Sequence, residues 1–444
     1  MKIFNKIILG SALCLACSCA SDFVETTPTD TLPGESIITD QASAESALNG
    51  LYSAIQLDYN FSGYDTMLAG LYSDELIHTG SFPSFAEFSV DDPAINNIDN
   101  TRYWNNHYSA IYRANLIIKF AEDASVGLNE ASTARIVGQA RGLRALMYYD
   151  LVKAYGGVPL ELNAYTAATD IDTNPIARSS ASEVYAQIVD DVQYAASNIP
   201  SGLSRFNFNK NAALVLKAKV EMEMGMYPEA ELTLEPLIGA YTLEGDYSAL
   251  YTGTSSASET IFAVDYNETD GSSAAFFYLI AGRGEVAASD ILINAFEEGD
   301  TRIGQISSKD EVIKYKDAGS GSDDAYVFRY ADVLLMYAEV LARQDNPDAS
   351  KYINMVRDRA ELGPVDLTSE NVVDLIAQER FVELYAESSD RFHTITRLGI
   401  ADEVIQAKAG NIVFVEARNN LWPIPQQEIE RNSAVSIADQ NPGY

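Results

Sequence analysis

The stretch 329–362, RYADVLLMYAEVLARQDNPDASKYINMVRDRAEL, indicates the fold more strongly than any other part of the chain. Its first half carries apolar side chains at the three- and four-residue spacing of one helix face: Leu334, Tyr337, Ala338 and Leu341. Pro347 then breaks the pattern and suits the start of a second helix. The second helix has its own apolar stripe: Tyr352, Ile353, Val356 and Ala360. Two short helices cannot bury both stripes alone, so the pattern predicts tetratricopeptide-like hairpins that stack on neighbours.

The same periodicity predicts an all-α domain over residues 41–444. Helices are expected at 42–56, 104–123, 135–155, 182–198 and 369–387, and a second hairpin at 211–238. Between them, at 58–101 and 241–326, the helical period is lost and Gly, Ser, Asp, Tyr and Phe predominate. We expect an irregular segment at 58–101, and short strands, turns and loops inserted into the helical scaffold at 241–326. Connections of this length are commonly functional.

The N-terminus has the pattern of a bacterial lipoprotein. Lys2 and Lys6 precede an apolar run at 7–16 that is too short to span a bilayer. Small residues and cysteine follow, as Ala16-Cys17-Ser18-Cys19. We expect residues 1–18 to be a signal peptide and residues 19–40 a polar tether.

Cys19 is the predicted lipidation site, and Cys17 is the alternative. A C-x-C metal site is the competing interpretation, but no ligand cluster elsewhere in the sequence completes it. No cysteine follows Cys19, so the folded domain is predicted to have neither disulfides nor thiol chemistry. Acyl chains would anchor the processed chain to a membrane.

Three further phrases carry a family resemblance: GQARGLRALMYYDLVKAYGGVPL at 138–160, QERFVELYAESSDRF at 378–392 and LWPIPQQEIERNSAVSIADQNPGY at 421–444. Together with the hairpin at 329–362, they closely resemble the SusD/RagB family of outer-membrane nutrient-capture lipoproteins. The chain departs from the family pattern at four positions. Gln139 and Thr394 stand where acidic residues are usual, Gly142 stands where a bulky residue is usual, and Asp390 looks like an extra residue.

The charge balance argues against nucleic-acid binding. The chain has 64 acidic and 30 basic residues, a formal net charge of −34, with no clustered basic stripe. We predict no enzyme activity, no cofactor and no metal, because the three histidines are scattered and no nucleophile or phosphate-loop motif occurs. Asp74 and His78 could share a helix face, most simply as a solvated pair. A calcium loop at 319–324 is a weak alternative.

The strongly patterned segments assign structural roles to several polar and aromatic residues. Helix-end ties and buried ion pairs are expected at Arg329, Glu339, Glu379, Arg380 and Glu383. Trp104 and Trp422 are predicted to lie in the core.

The two irregular segments concentrate aromatic and polar residues, as a sugar-binding surface requires. The residues predicted to contact a ligand are Tyr64, Asp74, His78, Phe82, Phe85, Tyr266, Phe277, Tyr278 and Arg283. Packing of the loops onto the domain is the alternative role for each aromatic residue.

The SusD/RagB resemblance implies a non-enzymatic receptor at the outer-membrane cell surface. Such a receptor captures an oligosaccharide by stacking and hydrogen bonding and delivers it to a SusC-like TonB-dependent transporter. Two alternatives stay open: uptake of peptides, and a tetratricopeptide adaptor that binds only proteins.

Overall fold

The computed structural model describes residues 38–123, 127–165, 174–253, 255–256, 258–408, 410, 412–418 and 420–444. The predicted signal peptide, Cys19, Cys17 and most of the predicted tether lie outside these residues. All nine predicted ligand residues lie inside them.

Helices make up most of the described structure. The first eight α-helices are α1 (Gln41–Ile55), α2 (Tyr64–Tyr72), α3 (Pro83–Ser89), α4 (Ile98–Ala121), α5 (Glu130–Tyr155), α6 (Ala181–Asn198), α7 (Lys210–Glu223) and α8 (Tyr227–Leu234). The others are α9 (Ala274–Tyr278), α10 (Asp290–Ala295), α11 (Tyr330–Ala342), α12 (Ala349–Arg359), α13 (Val372–Leu384), α14 (Asp390–Arg397), α15 (Ala401–Gln406) and α16 (Gln426–Arg431). Short 3₁₀ turns lie at Glu235–Leu237, Tyr247–Leu250, Thr301–Gln305, Glu416–Arg418 and Ile437–Asp439.

Two small antiparallel sheets join parts of the chain that are distant in sequence. The strands are β1 (Leu76–His78), β2 (Thr260–Val264), β3 (Val286–Ala288) and β4 (Ala325–Arg329). β1 pairs with β3, with Leu76 opposite Ala288 and His78 opposite Val286. β2 pairs with β4, which runs directly into α11. The expected short strands therefore occur within 241–326.

The long helices pack largely in chain order, as predicted for stacked hairpins. α4, α5, α6, α7 and α8 each pack on the next, α8 packs on α11, and α11 packs on α12 and α13. Leu334, Leu341, Ile353 and Val356 of the predicted stripes are all buried. α12 begins at Ala349, two residues after Pro347, with Asp348 as the residue before the helix. Asp345 turns the chain between the two helices with a positive φ of 55°.

The prediction of an irregular segment at 58–101 was wrong in part. It contains α2, β1, α3 and the first turn of α4. Residues Asp65 to Tyr72 of α2 are all buried, so this helix has no polar face and no amphipathic stripe. α3 has Pro83 at its first position, a start signal in a stretch too short to show a period.

Gly142, a departure from the family pattern, makes room for an aromatic ring. A Cβ at this position of α5 would lie 2.2 Å from Cε1 of Phe208. The backbone N–H of Phe208 donates to the Tyr52 hydroxyl (2.7 Å), which itself donates to Oε1 of Gln139 (2.6 Å). The two unusual residues, Gln139 and Gly142, thus hold the segment around Phe208 against α1 and α5.

Asp390 and Thr394 both accept hydrogen bonds from the buried guanidinium of Arg380. Arg380 donates to both carboxylate oxygens of Asp390 and, from Nε, to the Thr394 hydroxyl at 3.1 Å. Thr394 donates in turn to Asp390 (3.2 Å). The carboxylate expected at 394 is therefore supplied one helical turn earlier, by the residue that looked like an insertion.

A buried ion-pair network connects the end of β4 with α12 and α13. We define it by the cations Arg302, Lys314, Arg329, Arg357 and Arg359 and the carboxylates Glu259, Asp300, Glu379, Glu383 and Glu387. Arg329 Nη1 lies 2.6 Å from Glu259 and 3.0 Å from Glu383, and its Nε lies 2.7 Å from Glu387.

The predicted structural ion pairs are confirmed. Burial opposes ionisation of Glu383, but Arg359, Arg329 and Arg302 outweigh it, so the pKa of this carboxyl is lowered. Glu339 pairs outside the network, with Arg397 at 2.7 Å. Trp104 and Trp422 are also buried, as expected.

Candidate functional site

The β1–β3 pairing brings the two aromatic-rich segments together at one surface. β1 carries the chain from α2 to α3, while β3 follows the loop that contains Arg283. The backbone N–H of Thr79 extends the pairing with a 2.9 Å hydrogen bond to the carbonyl of Glu285. Residues about 200 positions apart in the sequence thus share one small sheet edge.

Six of the nine predicted ligand residues meet here. They form the aromatic patch, which we define as Tyr64, His78, Phe82, Phe85, Phe277 and Arg283. Tyr64 meets Phe277 edge-on at 5.0 Å between ring centroids, and Phe82 meets Phe85 edge-on at 5.5 Å. Phe82 also lies 5.9 Å from Phe277. Edge-to-face packing of this kind fixes the ring orientations.

Arg283 and Glu285 organise the edge of the patch. The guanidinium of Arg283 lies 4.0 Å from the Phe82 ring centroid, and its Nε donates to Glu285. Glu285 also accepts the backbone N–H groups of Ser81 (2.7 Å) and Phe82 (3.1 Å), and His78 Nε2 lies 3.3 Å away. Burial alone would raise the pKa of Glu285, but the hydrogen bonds from Arg283 and the loop lower it.

Two glycines allow the loops to approach this closely. A Cβ on Gly80 would lie 2.0 Å from Oε2 of Glu285, and a Cβ on Gly282 would lie 2.4 Å from the carbonyl oxygen of Phe276. Any larger residue would displace Glu285 or the Phe276 backbone. Glycine at these two positions therefore permits the close packing of the loops that bracket the patch.

The patch is closed underneath and open above. Phe85 and Phe277 are buried, Tyr64 and Phe82 are half-buried, and 40 % of the Arg283 side chain is exposed. Phe276 and Ile280, which flank the patch, are 42 % and 58 % exposed. A ligand would therefore meet the ring of Phe82 and the apolar side chains of Phe276 and Ile280, beside the donors of Arg283.

Three predicted ligand residues are elsewhere. Asp74 is buried in a two-bond ion pair with Arg391 (2.6 and 2.7 Å), and it shares no helix face with His78, which lies on β1. Tyr278 is fully buried and stacks on Tyr315 at 5.8 Å. Tyr266 is buried, and its hydroxyl donates to the carbonyl of Gln56 (3.2 Å). The positions of Tyr266 and Tyr278 agree with the loop-packing alternative, whereas the solvated pair suggested for Asp74 and His78 was wrong, because Asp74 is buried against Arg391.

The flanking residue Ile280 was missed by the sequence analysis. A single aliphatic residue in an aperiodic stretch carries no signal of exposure. The adjacent run Phe276-Phe277-Tyr278 was a signal, but the sequence could not show which ring faces outward.

The described residues give no support to a metal centre. They contain no group of three or more His, Cys, Asp or Glu side chains that could hold a metal ion. In the loop suggested for calcium, Asp317 accepts the N–H groups of Gly319 (3.1 Å) and Ser320 (2.9 Å), and Asp323 accepts that of Lys316 (2.7 Å). These carboxylates hold the loop itself. None of the described helices is long and apolar enough to cross a membrane.

The chain matches two family models and resembles solved structures over most of its length. Residues 302–444 match the SusD family, and residues 22–222 match a family described as starch-binding and associating with the outer membrane. SusD-like protein P2 of Formosa agariphila is 25 % identical, covering 95 % of this chain and 96 % of its own.

Two solved structures share the fold of this chain over most of its length. A SusD superfamily protein from Bacteroides fragilis is 25 % identical, with a TM-score of 0.80 and coverage of 90 % of this chain and 99 % of that one. Surface glycan-binding protein A from Bacteroides thetaiotaomicron, solved in complex with laminarihexaose, is 18 % identical and shares the fold, with a TM-score of 0.75 and coverage of 91 % of this chain and all of its own. The predicted resemblance is confirmed, and the chain belongs to the SusD/RagB family.

Proposed function

We propose that the protein is a non-enzymatic, lipid-anchored glycan receptor of the outer-membrane cell surface, and that it binds an oligosaccharide at the aromatic patch. One observation carries this proposal. Two aromatic-rich segments, about 200 residues apart, converge on a surface where Phe82 is half-buried and Arg283 is exposed above it. The laminarihexaose complex of the neighbour with the same fold supports a glycan as the ligand class.

The patch suits a sugar ring because its groups are ordered before the ligand arrives. A pyranose presents an apolar C–H face with hydroxyl groups around its rim. Phe82 and Phe276 provide apolar surface, and Arg283 provides N–H donors directed by its bond to Glu285. Since Glu285 already fixes the loop at Ser81 and Phe82, binding costs little conformational entropy.

Capture is the first of two steps in the proposed role. The second is delivery of the glycan to a SusC-like TonB-dependent transporter, over which the protein closes as a lid. The extended helical stack from α4 to α13 offers a surface for such a partner. Family membership supports this step.

The proposed anchor is a lipid on Cys19. Replacing Cys19 with Ala should abolish metabolic lipid labelling and release the protein from the membrane fraction. If labelling survives in that variant and disappears in Cys17→Ala, the modified cysteine is Cys17 and the anchor itself stands.

Calorimetric titration of the protein without residues 1–19 tests the ligand class. The titrants are a panel of plant, host and microbial oligosaccharides and a set of peptide mixtures. We expect saturable binding of at least one glycan, weakened about 10-fold or more in Phe82→Ala/Arg283→Ala.

The chain supplies a matched control for that double variant. Arg205 lies 4.6 Å from the ring of half-buried Phe206, on a different part of the surface. Phe206→Ala/Arg205→Ala removes the same two groups and should leave glycan affinity unchanged. A peptide signal without a glycan signal would indicate the peptide branch of the family, and absence of both would favour the adaptor alternative.

A further inference from the structure

A second concave site lies along α4, apart from the aromatic patch. We call it the α4–α16 groove and define it by six lining residues: Trp104, Tyr108, Tyr112, Gln427, Glu428 and Asn432. Its volume is about 380 Å³. Pockets of about 300–1,000 Å³ hold small ligands in proteins.

One wall of the groove consists of aromatic rings held in place. Trp104 and Tyr108 are separated by one turn of α4, and their ring centroids are 5.0 Å apart. The Tyr108 hydroxyl donates to the carbonyl of Pro159 (2.7 Å), and the Tyr112 hydroxyl donates to that of Tyr165 (3.0 Å). The rings therefore present fixed apolar faces, and little rotamer entropy is lost when a ligand packs on them.

The opposite wall is polar, and its carboxylate is already engaged. Glu428 accepts from Asn432 (2.8 Å), whose amide also donates to the carbonyl of Ile176 (2.8 Å). Burial raises the pKa of Glu428, against the hydrogen bonds from Asn432 and Trp104. Glu161 and Arg431 also line the groove, so its charged groups are two carboxylates and one cation, without the excess of positive charge that an anionic sugar would require.

A donor and an acceptor stand side by side at the rim. Asn105 Nδ2 donates to Oε1 of Gln427 at 2.8 Å. This leaves Oδ1 of Asn105 and Nε2 of Gln427 without a hydrogen-bond partner among the described residues. A sugar hydroxyl group can donate to Oδ1 of Asn105 and accept from Nε2 of Gln427. Two hydroxyls on adjacent carbons of a sugar can also share these two atoms between them.

From these features we propose that the α4–α16 groove is a second saccharide-binding site, which takes an uncharged sugar unit against Tyr108 and Tyr112 with its hydroxyls toward Asn105 and Gln427. This inference rests on the proposed function. The groove has the two properties of the aromatic patch, fixed rings and nearby polar groups.

The two sites are connected through α4. At its first turn, Asp99 accepts from the hydroxyl of Tyr59 (2.6 Å), and Tyr59 lies 4.3 Å from Tyr64 of the aromatic patch. The groove residues begin one turn later, at Trp104, and extend to Tyr112. A helix rises about 1.5 Å per residue, so Asp99 and Tyr112 are about 20 Å apart along the α4 axis, and a glycan that contacts both sites would have to be several sugar units long. Simultaneous contact would raise the apparent affinity for long glycans.

Calorimetric titration with hexasaccharides tests the groove. The probes are laminarihexaose, maltohexaose, cellohexaose, xylohexaose and mannohexaose, together with a tryptic peptide mixture. The variants are Tyr112→Ala in the groove, Phe82→Ala/Arg283→Ala in the patch, and Arg113→Ala as a control. Arg113 is the next residue on α4, but it points to α1, where Nη1 donates to the carbonyl of Gly50 (3.0 Å).

We expect Tyr112→Ala to weaken binding of at least one hexasaccharide by about 10-fold, with Arg113→Ala unchanged and residual binding in the patch variant. Gln427→Ala, on the partly exposed rim, replaces Tyr112→Ala if the latter fails to fold. Saccharide binding that is lost in the patch variant and unchanged in both groove variants would overturn the groove while the proposed function stands.

Two other outcomes also count against the groove. No saccharide binding by the unmodified protein would overturn the groove and the proposed function together. Peptide binding that Tyr112→Ala removes, with saccharide binding unaffected, would overturn the assignment of a sugar to this site.

Discussion

The ion-pair network and the aromatic patch both place arginine beside glutamate, but with opposite exposure. Arg329 is 1 % exposed, and three carboxylates surround it. Arg283 is 40 % exposed and forms an ion pair with one carboxylate, that of Glu285. Its guanidinium also donates to the Ser81 hydroxyl (3.1 Å) and lies over the face of Phe82. In the network each charged side chain forms an ion pair with another buried side chain, so these residues stabilise the helical scaffold. In the patch one pair orders the loop and leaves donors available for a ligand.

The largest expected effect is the loss of a network cation. Arg329→Met retains much of the side-chain volume but leaves Glu259, Glu383 and Glu387 each without one partner in a buried site. Removing one member of a buried ion pair costs about 3–5 kcal/mol. Urea unfolding followed by circular dichroism should show a decrease of that size in the free energy of unfolding.

Arg283→Met is the matched control in the patch. Its ion pair is partly exposed, and such pairs contribute about 0–1 kcal/mol. If both variants lowered stability equally, the distinction between a structural network and a patch that serves binding would be wrong.

The next effect is the pH dependence of the free energy of unfolding. It arises from a buried carboxyl that has no ion-pair partner among the described residues. Glu75 lies between α2 and β1 and accepts the N–H of Ala386 (3.0 Å). Burial raises its pKa to about 8, against the hydrogen bond from Ala386. A raised folded-state pKa gives stability that is fully present below the unfolded value of about 4.5 and is lost as pH rises through about 8.

Glu75→Gln keeps the acceptor for Ala386 and removes the titration. Relative to this variant, the native protein should lose stability by about 1.4 kcal/mol per pH unit between pH 5 and 8. Denaturant unfolding at several pH values measures the slope. Glu383 behaves oppositely, because its lowered pKa affects stability only on the acid side of 4.5. Parallel curves for the native protein and Glu75→Gln would contradict the prediction.

A smaller effect is expected from Glu285, a positioning residue of the patch. Glu285→Gln weakens the bond to Arg283 and the hold on the loop at Ser81. We expect glycan affinity to fall about 3- to 10-fold, while the free energy of unfolding changes by less than about 1 kcal/mol. Glu244→Gln is the control, because Glu244 likewise accepts hydrogen bonds from a loop, at Ser256 and Ser258, away from the patch. Equal affinities for the two variants would show that Glu285 does not order the site.

The sequence predicted the scaffold better than the patch, for a physical reason. Hairpin stripes such as Leu334 and Ile353 repeat at helical spacing and are visible without a structure. α2 is buried on all sides, so its sequence shows no stripe and resembles a loop. For single aromatics the two outcomes look alike: Phe82 is half-buried in the patch, and Tyr278 is fully buried against Tyr315. Whether such a ring lies in the patch or in the core depends on contacts between segments about 200 residues apart, such as the β1–β3 pairing. Local sequence patterns do not show these contacts.

A last pair of substitutions compares a tightly packed and an open position within the helical scaffold itself. Gly50 and Gly142 both lie inside helices, α1 and α5, where glycine costs about 1 kcal/mol relative to alanine. A Cβ on Gly50 would meet only Nη1 of Arg113, at 3.6 Å, so Gly50→Ala should stabilise the protein by about 0.5–1 kcal/mol.

Gly142→Ala should instead destabilise the protein, by about 1–3 kcal/mol, because its new methyl group would lie 2.2 Å from the Phe208 ring. The double variant Gly142→Ala/Phe208→Leu should recover part of this loss, since the smaller side chain vacates the contested space. Chemical denaturation of the single and double variants measures the coupling between the two positions. A stabilising Gly142→Ala would mean that Phe208 moves freely, and that the glycine in α5 has no packing role.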